Sequence, residues 1–267
     1  MRGVSRASRA SLGEALAAQK GKPAKTGAEL FSVVHLLDDE PRLRRVIADP
    51  GVEPDQRARL VGDILGDKVS APTLELVRAA AAAAWSRPAD LVDGLDELAA
   101  EALFAAAEQD GRLDDVEDEL FRFGRILDRE PALRSALIDP SLPRERKQEL
   151  LVTLLGGRVN DATRRLVEEA VLHARGRTID RAIEEYGRLA AERRERLVAT
   201  VTSAVPLSEA QIERLEAGLA ARLGHPVHLN VEIDPDLVGG VSVRVGDQLF
   251  DGSIAHRIAD VHRLMAG

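Results

Sequence analysis

Leu37-Asp38-Asp39-Glu40-Pro41-Arg42-Leu43-Arg44 returns as Leu127-Asp128-Arg129-Glu130-Pro131-Ala132-Leu133-Arg134, and reading the two together decides the fold. Around them residues 30–90 align on 120–180 without a gap. Leu30-Phe31 falls on Leu120-Phe121, Asp49-Pro50 on Asp139-Pro140, Leu65-Gly66 on Leu155-Gly156 and Leu76-Val77 on Leu166-Val167. In all, 21 of 61 aligned positions are identical. Composition alone aligns Ala with Ala and Leu with Leu, but not Glu-Pro, Asp-Pro and Leu-Gly at one fixed offset. A period of 90 residues exceeds the common solenoid units and reads as a duplicated domain.

The punctuation of each copy gives its helices. Pro41 and Pro131 suit the first helical turn, where the missing N–H is not needed. Pro54 opens another helix, and its counterpart begins near Pro143. Gly66 and Gly156 are expected as left-handed C-caps, and Ser70 and Asn160 as N-caps of helices running to about Ala84 and Ala174. Leu113, Val116, Leu120 and Leu127 keep helical spacing. Each copy therefore reads as a bundle of five or six short helices. Ahead of the repeat, residues 1–25 carry +5 against −13 for the remainder. This segment is expected to be a loosely ordered helix around Leu12–Ala18 with a linker, and no apolar region of a secretory signal follows it.

After a long helix ending near Arg196 the period becomes two. Val227, Leu229, Val231 and Ile233 alternate with His228, Asn230 and Glu232, as in a half-buried strand. Leu197–Ser203 and Val241–Val245 read as its partners, with a Gly246-Asp247 turn into Gln248–Phe250. Ser208 and Gln211 form a capping box before Ile212–Leu223, and Ser253 would cap a final helix over 254–265. The expected fold is mainly α with a small α+β C-terminal domain: bundles at 1–97 and 98–196, then a mixed sheet/helix module at 197–267.

Composition narrows the function. With no Cys, disulfides and thiol chemistry are absent. Seven aromatic residues give no base-stacking platform, and a net charge of −8 argues against phosphate-backbone binding. No apolar run approaches a membrane span. His225 and His228 fall on a turn and a strand around Pro226, without a third ligand nearby, so they do not read as a metal pair. Gly239, Gly240 and Gly246 lack the order and the Lys of a phosphate loop. Asp114, Asp115, Glu117, Asp118 and Glu119 open a helix, where acids suit the dipole, and read as a solvated face. No catalytic, cofactor or metal site emerges.

The C-terminal strings are more specific. Thr202-Ser203-Ala204-Val205-Pro206-Leu207-Ser208, Ile233-Asp234-Pro235-Asp236-Leu237-Val238-Gly239-Gly240, Val241-Ser242-Val243-Arg244-Val245-Gly246-Asp247 and Asp251-Gly252-Ser253 resemble the delta subunit of bacterial F-type ATP synthase, the family of the oligomycin-sensitivity-conferring protein. Residues from about 98 onward are similar to one complete delta subunit. The duplicated first bundle resembles the longer actinobacterial form. The resemblance implies a non-catalytic peripheral-stalk subunit, one per complex and without cofactor, at the cytoplasmic face of the cell membrane. It implies alpha subunits, through their N-terminal helices, and b subunits as partners, with no nucleic acid and no membrane span. Asp234, Pro235, Gly239, Gly240, Asp251, Gly252 and Ser253 are then structural turns and caps. Small residues let a partner helix approach closely, which makes Ala79, Ala80 and Ala83, with Leu166, Val167 and Ala170 in the second copy, the candidate groove. Tight packing inside the bundle explains the same residues more plainly. The family's opening helix, which leads to Ala-Leu-Phe, is matched only by Ala102-Leu103-Phe104 here. A helical-repeat adaptor unrelated to the synthase is the alternative.

Overall fold

The computed structural model describes residues 3–19, 21–196, 198–223, 228–234, 241–245 and 248–251. Two compact units result, residues 1–190 and 191–267.

Proline opens five of the eleven helices that begin among the described residues of the first unit. Helices α2 (Pro23–Asp39), α3 (Pro41–Ile47), α4 (Pro54–Leu65), α6 (Pro88–Gln109) and α8 (Pro131–Ile138) all begin at one. The others are α1 (Gly3–Ala18), α5 (Ala71–Ala82), α7 (Leu113–Arg129), α9 (Arg144–Leu155), α10 (Asp161–Leu172) and α11 (Ile179–Arg196). Helices α2 to α5 recur in order as α7 to α10. Leu113, Val116, Leu120 and Leu127 form the buried stripe of α7 that their spacing predicts.

Between the copies stands one shared helix. Shifted by the repeat offset of 90 residues, α1 falls on 93–108 and α11 on 89–106, and both ranges lie inside α6. Position 97, where the sequence reading divides the bundles, is in the middle of this unbroken helix. Its burial matches the double role: Leu98, Ala99, Ala100, Ala102, Leu103 and Phe104 have almost no exposure. From 98 to 104 only Glu101 is charged, and it is buried against Arg9; Ala102-Leu103-Phe104 ends this buried stretch. Helix α2 crosses α6 at Gly27, where a Cβ would stand 2.9 Å from the carbonyl oxygen of Ala99 and 2.9 Å from the Leu103 side chain. Only glycine permits that approach.

Helix α1 corrects an expectation. Residues 3–18 form an ordered helix that buries Ser5, Arg9, Leu12 and Leu16. Arg9 reaches Glu97 at 3.3 Å and Glu101 at 2.7 Å on α6, and Ser5 donates to Asp90 at 2.8 Å. The docking face is half polar, so hydrophobic spacing understates it.

The caps need three further corrections. Gly66 and Gly156 are not left-handed, with φ −54° and −52°; Gly157, one residue on in the second copy, takes φ +67°. Glycine at 66 and 156 serves a close approach instead, since a Cβ would lie 2.6 and 2.5 Å from the carbonyl oxygens of Gly62 and Val152. Asn160 does cap α10, accepting from the Ala162 N–H at 2.8 Å. Ser70 occupies the N-cap position of α5, but its hydroxyl turns to Glu29. Helices α5 and α10 also end two residues earlier than expected. The buried guanidinium of Arg57 donates to the carbonyls of Ala82 and Ala83 at 3.3 and 3.1 Å, closing the end of α5.

The second unit has a four-stranded sheet in the order β2-β1-β3-β4. Its strands are β1 (Val198–Ser203), β2 (His228–Ile233), β3 (Val241–Val245) and β4 (Gln248–Asp251), with α12 (Glu209–Leu223) after β1. β1 and β2 are parallel. A parallel pair needs a long crossover, and α12 provides it. β3 runs antiparallel to β1, and β4 to β3, which is the expected hairpin. Val201 aligns with Val231 on one side and Val243 on the other. Val201 and Val243 form the core with Leu219 of α12. Ile233, at the end of the alternating run, is 54% exposed rather than half-buried. Gln211 Oε1 accepts from the Ser208 N–H at 2.9 Å, the Gln half of the expected capping box.

Candidate functional site at the seam between the copies

Polar side chains concentrate where the two copies meet. After α10 the chain turns through Arg175, at φ 50°, and Gly176, at φ 75°. A non-glycine residue holds a left-handed conformation only when its surroundings insist on it. Arg175 ion-pairs with Asp38 of α2 at 2.6 Å and with Asp93 of α6 at 2.9 Å, and approaches Asp96 at 3.6 Å. Arg177 binds Asp96 at 3.0 Å and Glu185 of α11 at 3.0 Å, with its guanidinium over the buried Tyr186 ring. Burial drives the Asp96 carboxyl up from its ordinary range, against the pull of Arg177 and Arg175. Burial also opposes the charge on Arg177, but Asp96, then Tyr186 and Glu185, more than reverse that and raise its pKa. These charges tie first-copy helices to second-copy helices through α6.

Beside this network lies a histidine pair. The rings of His35, on α2, and His173, at the C-cap of α10, stack with centroids 3.3 Å apart and planes 4° from parallel. His35 Nε2 lies 2.7 Å from Glu169 Oε2, and Arg144 donates to the His173 ring. Burial, then His35 and Arg144, push the His173 pKa down to about 3. Among the described residues, His35, Glu169 and His173 are the one group of three or more such side chains with metal-ligand spacing.

A second polar device appears once in each copy. Glu29 accepts from the Ser70 N–H at 3.0 Å and from Thr73 at 2.6 Å. Glu119 accepts from the Asn160 N–H at 2.9 Å and from Thr163 at 2.5 Å. Glu119 thus braces the start of α10, which corrects its reading as part of a solvated acidic face. Burial would raise Glu29, but the Ser70 and Thr73 hydrogen bonds and Lys25 outweigh it and hold the carboxyl below its usual range.

Of the candidate groove residues, Ala80, Leu166, Val167 and Ala170 are fully buried within the first unit. Ala79 is exposed and Ala83 half-buried. A helix resting on α5 would therefore meet Ala79 and Ala83. Asp234 follows β2 and donates its N–H to the Ser203 carbonyl at 3.0 Å, while Asp251 ends β4 opposite Ser242. Pro235, Gly239, Gly240, Gly252, Ser253, the final helix and the Gly246-Asp247 turn lie outside the described residues. A narrow cavity in the first copy is lined by eleven aliphatic side chains, among them Leu37, Leu65 and Leu95. It offers no polar group to orient a small-molecule ligand.

The family described as ATP synthase delta (OSCP) subunit matches residues 99–265. The chain belongs to this family. A delta subunit of Thermobifida fusca is 49% identical over 244 residues, covering 91% of each chain. That of Streptomyces avermitilis is 48% identical over 238 residues, 89% of this chain and 87% of the relative. The Frankia alni delta subunit is 42% identical over 275 aligned positions, 99% of both. The family match begins inside α6, whereas these actinobacterial delta subunits align with the first copy as well. The family sets aside the unrelated adaptor. A delta subunit is a non-catalytic, peripheral-stalk part of the synthase, and cross-braced helices suit such a part. No helix among the described residues is long and apolar enough to cross a membrane.

Proposed function

We propose that this chain joins the alpha subunits of the catalytic head to the b subunits of the stalk, at the cytoplasmic face of the bacterial membrane. One copy serves each complex and keeps the head from turning with the rotor, so that torque drives ATP synthesis. Family membership carries the reading, and the division into a helical unit and a sheet module fits two partners. The helical unit receives the N-terminal helices of alpha subunits, with residues 1–97 as the extra copy and 98–196 as the one typical of the family. The module at 197–267 holds the ends of the b subunits. Asp234, Pro235, Gly239, Gly240, Asp251, Gly252 and Ser253 shape its turns and caps. The groove candidates reduce on the surface to Ala79 and Ala83, while Ala80, Leu166, Val167 and Ala170 hold their helices in place from inside.

Affinity capture with the tagged full chain from detergent-solubilised membranes tests the partners. Alpha and b subunits are expected in the eluate, and a chain released from membranes alone would overturn the reading. Ala79→Trp in the full chain tests the groove. It is expected to weaken capture of an alpha N-terminal peptide at least about tenfold, the effect of roughly 1.4 kcal/mol. Unchanged capture would remove α5 from the docking surface.

A further inference from the structure

We propose that His35, Glu169 and His173 form a Zn²⁺ site that staples the first helical copy to the second. The three ligand atoms, one from each side chain, lie within 4.8 Å of one another, and all three residues are only partly exposed. Two imidazoles and a carboxylate, with water in the fourth position, make a set that Zn²⁺ accepts at about 2.0–2.2 Å. Tetrahedral ligands at that radius stand roughly 3.4 Å apart, so side-chain rotations alone close the site. The stacked rings would splay so that one nitrogen of each turned to the ion. Arg144 is exposed and free to swing from the His173 ring into solvent.

The repeat supplies a second observation. At the offset of 90 residues, Glu169 and His173 correspond to Ala79 and Ala83, and His35 to Arg125. None of the three ligands is therefore shared between the two copies. They occur only where α2 of one copy faces α10 of the other, and Glu169 is 134 residues from His35. An ion there crosslinks two helices far apart in the chain, next to the Arg175 ion pairs that span the same seam. Asp38, Asp93 and Asp96 offset the charges of Arg175 and Arg177 nearby.

The test is a titration of the metal-stripped full chain with Zn²⁺, followed by calorimetry and thermal melting. One equivalent is expected to bind, and a hundredfold excess over Kd to raise Tm by about 5 °C or more. Co²⁺ in its place should give the intense visible bands of a four-coordinate ion. His35→Gln and His173→Gln should each lose the stoichiometric binding while keeping the wild-type far-UV spectrum. Absence of one-equivalent binding to the wild-type chain would overturn the proposal without reference to any variant. So would binding that survives both substitutions, which would place the ion on another of the six histidines.

Discussion

Glu29 and Glu119 show how much one carboxylate can hold. Each sits on the second helix of its copy and accepts hydrogen bonds from the start of the fifth, 41 and 44 residues further along the chain, three at Glu29 and two at Glu119. Removing such an acceptor leaves buried donors unsatisfied, which costs about 1–3 kcal/mol. Glu29→Ala should therefore lower Tm by several degrees in a chain of this size. The folded pKa of Glu29 is depressed, so its stabilisation is complete above the ordinary carboxylate range. It is lost as pH falls through the folded value. The variant should accordingly lose less stability than wild type between neutral and acid pH, and equal acid slopes in urea titrations would refute this. Gly27 gives a steric test. Gly27→Ala drives a Cβ into the Ala99 carbonyl and the Leu103 side chain, at an expected cost of about 1–3 kcal/mol. Gly187→Ala, in α11, meets nothing within 4 Å and should stabilise by about 0.5–1 kcal/mol. Chemical denaturation of both variants checks the opposite signs.

At the scale of elements, the sequence was most legible where proline and spacing act locally. Pro41, Pro54 and Pro131 open their helices as expected, and Leu113 to Leu127 bury the predicted stripe. The sheet was legible for the same reason, because alternation reports one buried face. What escaped was anything set by long-range partners. Ser70 was readable as a cap residue, but its preference for Glu29 depends on a helix 41 residues away. Arg9 belongs to a buried face only because Glu97 and Glu101 receive it. The seam residues His35, Glu169 and His173 had no local signature, because only the packing of α2 against α10 brings them together. The shared helix was hidden too, since a duplication does not reveal whether neighbouring copies use one junction helix or two. It makes a distinct prediction. Glu97→Pro breaks α6 in mid-course at a cost of about 3 kcal/mol or more. Because both copies are built on α6, their amides should lose hydrogen-exchange protection together. Loss confined to one copy would contradict the shared spine.

For the whole molecule, the sequence combines a −8 charge with no Cys and few aromatics. Its non-catalytic role rests on membership of the delta (OSCP) family. Ion pairs across the seam and a common central helix make residues 1–190 one compact unit, which suits a subunit that must transmit force without yielding. The central claim is that the chain holds the head against the rotor. The most direct measurement is proton-driven ATP synthesis in membrane vesicles depleted of this chain, compared with ATPase activity of the detached head. Depletion should abolish synthesis, adding back the purified full chain should restore it, and ATPase should survive throughout. Synthesis that persists at the wild-type rate after depletion would contradict the account.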